Sequence, residues 1–145
     1  MDIDWDHTNH EIHLSMMSYV QDALTRFRHA RPRKLQYQPY PHGKPTYGTK
    51  AQYATDAYPS PLLTPAQNNF FQEVTVTFLY YARAINATIL PALGTIATQQ
   101  SALTENTMHK VNQFLNYSAT HPDAIITYHT SNMILAAHGY SSYLS

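Results

Sequence analysis

The chain has 145 residues, nine Lys and Arg against nine Asp and Glu, and no cysteine. That length suffices for one domain burying roughly two thirds of its unfolded surface, and the missing thiols exclude disulfides and thiolate metal sites. The acidic, polar N-terminus is unlike a signal peptide, and the apolar runs are too short for a membrane span, so an intracellular, cytoplasmic chain is expected.

Charge is balanced overall but segregated along the sequence. Residues 1–25 carry Asp2, Asp4, Asp6, Glu11 and Asp22 without a Lys or Arg. Residues 26–50 carry Arg26, Arg28, Arg31, Arg33, Lys34, Lys44 and Lys50 without an acid. Such asymmetry points to an anionic partner for the second segment.

In chain order, the first element reads as a β-hairpin. Ile3 and Trp5 alternate with Asp2, Asp4 and Asp6, Ile12 and Leu14 bracket His13, and His7-Thr8-Asn9-His10 lies between. Period two around a polar turn is the hairpin signal, with Ile3 and Trp5 expected inward. Ser18-Tyr19-Val20-Gln21 fits a capping box, and Val20, Ala23, Leu24 and Phe27 follow at helical spacing. Pro32 is the expected stop. Residues 31–65 hold seven of the nine prolines and five tyrosines, with neither period, and read as an extended basic linker that marks a boundary.

The second half reads as three helices. Thr64-Pro65-Ala66-Gln67 supplies an N-cap, a proline at the first helical position and a glutamine three residues after the cap. Phe71, Val74, Phe78, Tyr81 and Ile85 then share a face, as core rather than a ligand site. A second helix is expected from Ile89 through Leu93, Ile96 and Ala97, with Pro91 in its first turn. A third follows Thr104, with Met108, Val111, Leu115 and Ser118 in phase and Phe114 beside them. His121-Pro122-Asp123 reads as a turn before two strands, Ala124–Tyr128 and Met133–Ala137, joined by residues 129–132.

These blocks resemble a known family. Asp4-Trp5-Asp6, Ile12-His13-Leu14-Ser15 and Tyr19-Val20-Gln21-Asp22-Ala23-Leu24 are similar to the last palm strands and thumb start of copia-type retrotransposon reverse transcriptases. Phe78-Leu79-Tyr80-Tyr81-Ala82-Arg83-Ala84 resembles the family's connecting helix. Phe114-Leu115-Asn116-Tyr117 and Thr120-His121-Pro122-Asp123-Ala124 continue in the same order. Tyr128-His129-Thr130-Ser131-Asn132-Met133-Ile134-Leu135, followed by His138-Gly139-Tyr140, looks like the entry into ribonuclease H. The resemblance implies RNA-templated DNA synthesis and cleavage of the hybrid's RNA strand in the intact parent, with Mg²⁺ as cofactor.

The departures set the functional expectation. The paired aspartates that hold the polymerase ions in the family have no counterpart here, because Asp2, Asp4 and Asp6 lie past that position. Tyr140 occupies the expected acidic ligand position of ribonuclease H, and a neutral phenol is a poor substitute for a carboxylate on Mg²⁺. The sequence ends at Ser145, before the other ligands of that site. The expectation is therefore a non-catalytic fragment or relict of such a polyprotein, with no catalytic residue, metal or cofactor in the chain. The alternatives are a segment of an active polyprotein, or a helical protein-interaction module.

Other constellations have plainer readings. Asp2, Asp4 and Asp6 with His7 read as a solvated strand face, and His7, His10 and His13 are spaced for a helix in a stretch of period two. His121, His129 and His138, and Ser141, Ser142 and Ser145, lack positioned partners for acid–base or nucleophilic work. The best candidate is Arg26, Arg28, Arg31, Arg33 and Lys34 with Tyr37. Cations there can neutralise phosphates and the tyrosine ring can stack on bases. The partner expected is RNA or an RNA–DNA hybrid, held weakly and without sequence preference, with no membrane and no small-molecule substrate. The fold class expected is α+β and incomplete. Its four parts are palm and thumb-like residues 1–30, the linker 31–65, connection-like helices 66–121, and the first ribonuclease H-like strands 122–145.

Overall fold

A computed structural model describes residues 1–41, 60–101 and 103–131. Strands β1 (Asp2–Asp6) and β2 (Glu11–Ser15) form the expected hairpin. Its turn is built by Asp6, whose Oδ1 accepts from the backbone N–H groups of Thr8 (2.8 Å) and Asn9 (3.0 Å). The other carboxylate oxygen accepts from Asn9 Nδ2 at 2.8 Å, and His10 closes the turn at φ 54°. These bonds, led by that from the Asn9 backbone, hold the Asp6 carboxyl below its ordinary pKa. The support they give the turn is present above the carboxylate range and fades as acid protonates the group.

Helix α1 (Met17–Arg26) buries Val20, Ala23 and Leu24, and Phe27 just beyond its end, as the spacing predicts. Its ends differ from the expectation. Ser18 lies inside the helix and caps nothing, because buried Met16 holds the N-cap position without a side-chain bond. Pro32 is not the stop either. His29 N–H bonds Leu24 O and Arg28 N–H bonds Thr25 O, both at 2.9 Å, with Arg28 at φ 52°. That pair of bonds is a Schellman ending, normally built on glycine because a Cβ is strained in the left-handed region. Arg28→Gly is expected to raise stability by about 0.5–1 kcal/mol. Urea denaturation followed by circular dichroism checks this, and a loss of stability would show that the arginine side chain holds the turn.

Helix α2 (Pro65–Ala84) starts as its sequence dictates. Thr64 N–H donates to Gln67 Oε1 at 2.9 Å and Gln67 N–H reaches back to Thr64 Oγ1. Phe71, Val74, Phe78 and Tyr81 are buried along it, with Ile85 at its C-cap. A 3₁₀ turn at Ala87–Ile89 leads into helix α3 (Leu90–Ala97), where Pro91 sits in the first turn and Leu93 and Ile96 face inward. Helix α4 (Glu105–Thr120), capped by Thr104, buries Val111, Phe114, Leu115 and Ser118. The α2 and α4 starts are stitched together: Leu63 N–H bonds Leu103 O and Glu105 N–H bonds Pro61 O, each at 3.0 Å.

The fold class is α+β, with four α-helices and one three-stranded antiparallel sheet among the described residues. Strand β3 (Ile125–His129), one residue later than expected, pairs with β2 so that Leu14 meets Ile126 and Ile12 meets Tyr128. The hairpin thus gains a flanking strand from residues more than a hundred positions away. Met133–Ala137, the second strand expected there, lies outside the described residues.

Directly opposed residues share a sheet face. Ile3 therefore lines up with Leu14 and Ile126, and Trp5 with Ile12 and Tyr128. Only Leu14 and Ile126 of these reach the helical core. The inward placement expected of Ile3 and Trp5 is corrected: they are 68% and 59% exposed, on an edge strand beyond the cover of the helices.

Candidate nucleic-acid interface

The basic run does not act as one surface. Arg26, in the last turn of α1, turns onto α2: its Nη2 donates to Thr77 Oγ1, and its guanidinium lies 4.8 Å from the centroid of the Phe27 ring. The groove it lines also holds Glu73, whose carboxylate disfavours a phosphate there. Of the expected set, the structure separates Arg26 from the rest.

Arg28, Arg31, Arg33 and Lys34 are exposed, on the far side of the α1 ending. Arg31, Arg33 and Lys34 belong to a strap, residues 29–40, that runs along α4, and Arg28 precedes it in the α1 ending. His29 Nε2 meets Asn116 Oδ1 at 2.9 Å, and Gln36 N–H donates to Thr120 Oγ1 at 3.2 Å. Gln113 Nε2 donates to Gln38 O at 3.1 Å, and Gln99 Nε2 to Tyr40 Oη at 3.3 Å. Lys110 Nζ lies 5.8 Å from the centroid of the Tyr40 ring. Prolines and helix-derived bonds together fix this stretch, so its cations are presented from an ordered backbone and lose less entropy on binding. Arg31 lines a small cleft with His29, Thr25, Ala119 and Pro122.

Tyr37 is 70% exposed, its ring centroid 6.0 Å from that of His121, which lies 4.9 Å from Tyr117. Beyond His121 a cleft of about 490 Å³ opens between the end of α2 and the lead into β3, lined by Asn86, Thr88, Tyr117, His121, Asp123 and Ile125 among others. Tyr81 is buried close by, its hydroxyl without a well-formed hydrogen bond although Asn86 and the Ala124 backbone approach it. Burial pushes that phenol above its ordinary pKa.

On the sheet's other face Glu11 joins two histidines. Its Oε1 lies 2.7 Å from His129 Nδ1 and its Oε2 lies 3.8 Å from His13 Nε2. His13 Nδ1 also meets Thr127 Oγ1 at 2.9 Å. Sequence reasoning missed this group, because only the β2–β3 pairing assembles it. Among the described residues no three His, Asp or Glu side chains are grouped to hold a metal ion, and Asp6 spends both oxygens on its turn. No described helix is long and apolar enough to cross a membrane. Tyr140, Lys44, Lys50, His138, Ser141, Ser142 and Ser145 lie outside the described residues.

No family model, curated protein or solved structure matches the chain.

Proposed function

We propose that this chain is a non-catalytic segment of a copia-type reverse transcriptase and ribonuclease H that contacts nucleic acid through its basic strap. The observation that carries the binding reading is the exposure of Arg28, Arg31, Arg33 and Lys34 beside Tyr37 on a backbone bonded to α4. Three cations on the strap and Arg28 just before it can neutralise successive phosphates, and these four side chains read no base edge, so the binding they give is independent of sequence. The non-catalytic reading rests on the resemblance, which puts Tyr140 at an acidic ligand position and finds no counterpart of the polymerase aspartates. The pairing of β3 with β2 supports a segment that packs on its own.

Anisotropy of a labelled 16-base-pair RNA–DNA hybrid tests the binding. The expected dissociation constant at moderate salt is about 10⁻⁴ to 10⁻⁶ M, the range of non-specific contacts. Primer extension on an RNA template with Mg²⁺ or Mn²⁺ is expected to yield no incorporation above a mock purification. Hybrid that fails to bind at low salt removes the binding half of this reading, and template-directed incorporation removes the non-catalytic half.

A further inference from the structure

We infer that the cleft beside His121 takes an unpaired nucleobase from a strand whose phosphates rest on the basic strap; this rests on the nucleic-acid reading proposed above. The strap and the cleft are contiguous. Arg31 and Pro122 line one small cleft, and Tyr37 contacts the His121 ring, which lines the larger one. The cleft's volume of about 490 Å³ falls within the range of small-ligand sites.

Its chemistry selects the neutral part of a nucleotide. Among the described residues no Lys or Arg lines it, and Asp123 does, so a phosphate entering would meet a carboxylate there. The wall instead offers Tyr117 and His121 for stacking. For a base edge, it offers Asp123 as an acceptor. Asn86 Oδ1 is already bonded to the Thr88 hydroxyl and its amide approaches the Tyr81 hydroxyl, which leaves one amide N–H as a donor. An aromatic wall with one donor and one acceptor group matches a base, whose edge carries both. A base in a duplex is stacked and paired, so only a single strand, an overhang or a bulge can present one.

The test compares two labelled probes of equal length: a single-stranded oligonucleotide with a central 2-aminopurine, and the same strand in a blunt hybrid. The full chain is expected to bind the single strand about tenfold more tightly than the hybrid and to quench the 2-aminopurine on binding. Two variants separate the cleft from the strap. His121→Ala removes a stacking ring, and Thr88→Trp fills the cleft from an exposed position that tolerates a larger side chain. Either is expected to abolish the quench and bring single-strand affinity down to that of the hybrid. Equal affinity for both probes with unchanged 2-aminopurine emission would overturn this inference while leaving the strap reading in place. Failure of both probes to bind would overturn the strap reading as well.

Discussion

Phe78→Ala is expected to lower the stability of the chain by about 3–5 kcal/mol, a large part of the 5–15 kcal/mol typical of a whole domain. Phe78 is fully buried midway along α2, and its ring meets that of Phe114 on α4 edge-on, with centroids 5.1 Å apart and planes at 86°. The loss therefore combines the transfer of an aromatic side chain, the cavity left behind and an edge-to-face contact. The buried residues form one core cluster, so no separate core would absorb the cavity. Val76→Ala on the same helix, at an exposed position, is expected to stay within about 0.5 kcal/mol. Urea denaturation of both variants reads the difference. Equal midpoints for the two would mean that α2 does not pack its Phe78 face on α4.

The features read correctly from sequence are those encoded within a few residues. Thr64, Pro65 and Gln67 specify the start of α2 with side chains that bond one another, and the stripe from Phe71 to Ile85 needs only the helical period to be seen. The misread ends of α1 show the limit. Ser18 and Gln21 have the spacing of a capping box, but burial of Met16 begins the helix before them. The stop uses Arg28 in a conformation that glycine usually signals, so no residue type announced it, and Pro32 was the visible but wrong marker.

The rest was hidden because it depends on contacts between distant segments. Alternation in Asp2–Asp6 shows that Ile3 and Trp5 share a face, yet whether a helix covers that face depends on the packing of the second half. The β2–β3 register joins residues more than a hundred positions apart, and with it the Glu11, His13 and His129 group. The candidate interface was half legible. The cations and Tyr37 were evident, whereas the diversion of Arg26 to Thr77 and the bonding of residues 29–40 to α4 required the fold. Proline content described residues 31–65 as a linker, of which 42–59 lie outside the described residues; over 31–40 it did not reveal which neighbouring side chains satisfy the backbone groups.

Salt dependence is the sharpest reading of that interface, because it counts phosphate contacts. With Arg28, Arg31, Arg33 and Lys34 engaged, the slope of log affinity for a hybrid against log salt is expected at roughly −3 to −4. Affinity should then fall about a hundredfold between 50 and 200 mM salt. Changing those four residues to alanine is expected to reduce the slope by about 3. Arg26→Ala is expected to leave it within about half a unit, since that guanidinium is held on Thr77 and Phe27 beside Glu73. Tyr37→Ala, titrated with a single strand in the same series, should lower affinity several-fold at every salt concentration without changing the slope, because stacking releases no counterions. The three variants thus give three distinct patterns in one titration series. A quadruple variant whose slope drops by less than about 1, or an Arg26→Ala variant that loses a full unit, would place the phosphate contacts elsewhere on the chain.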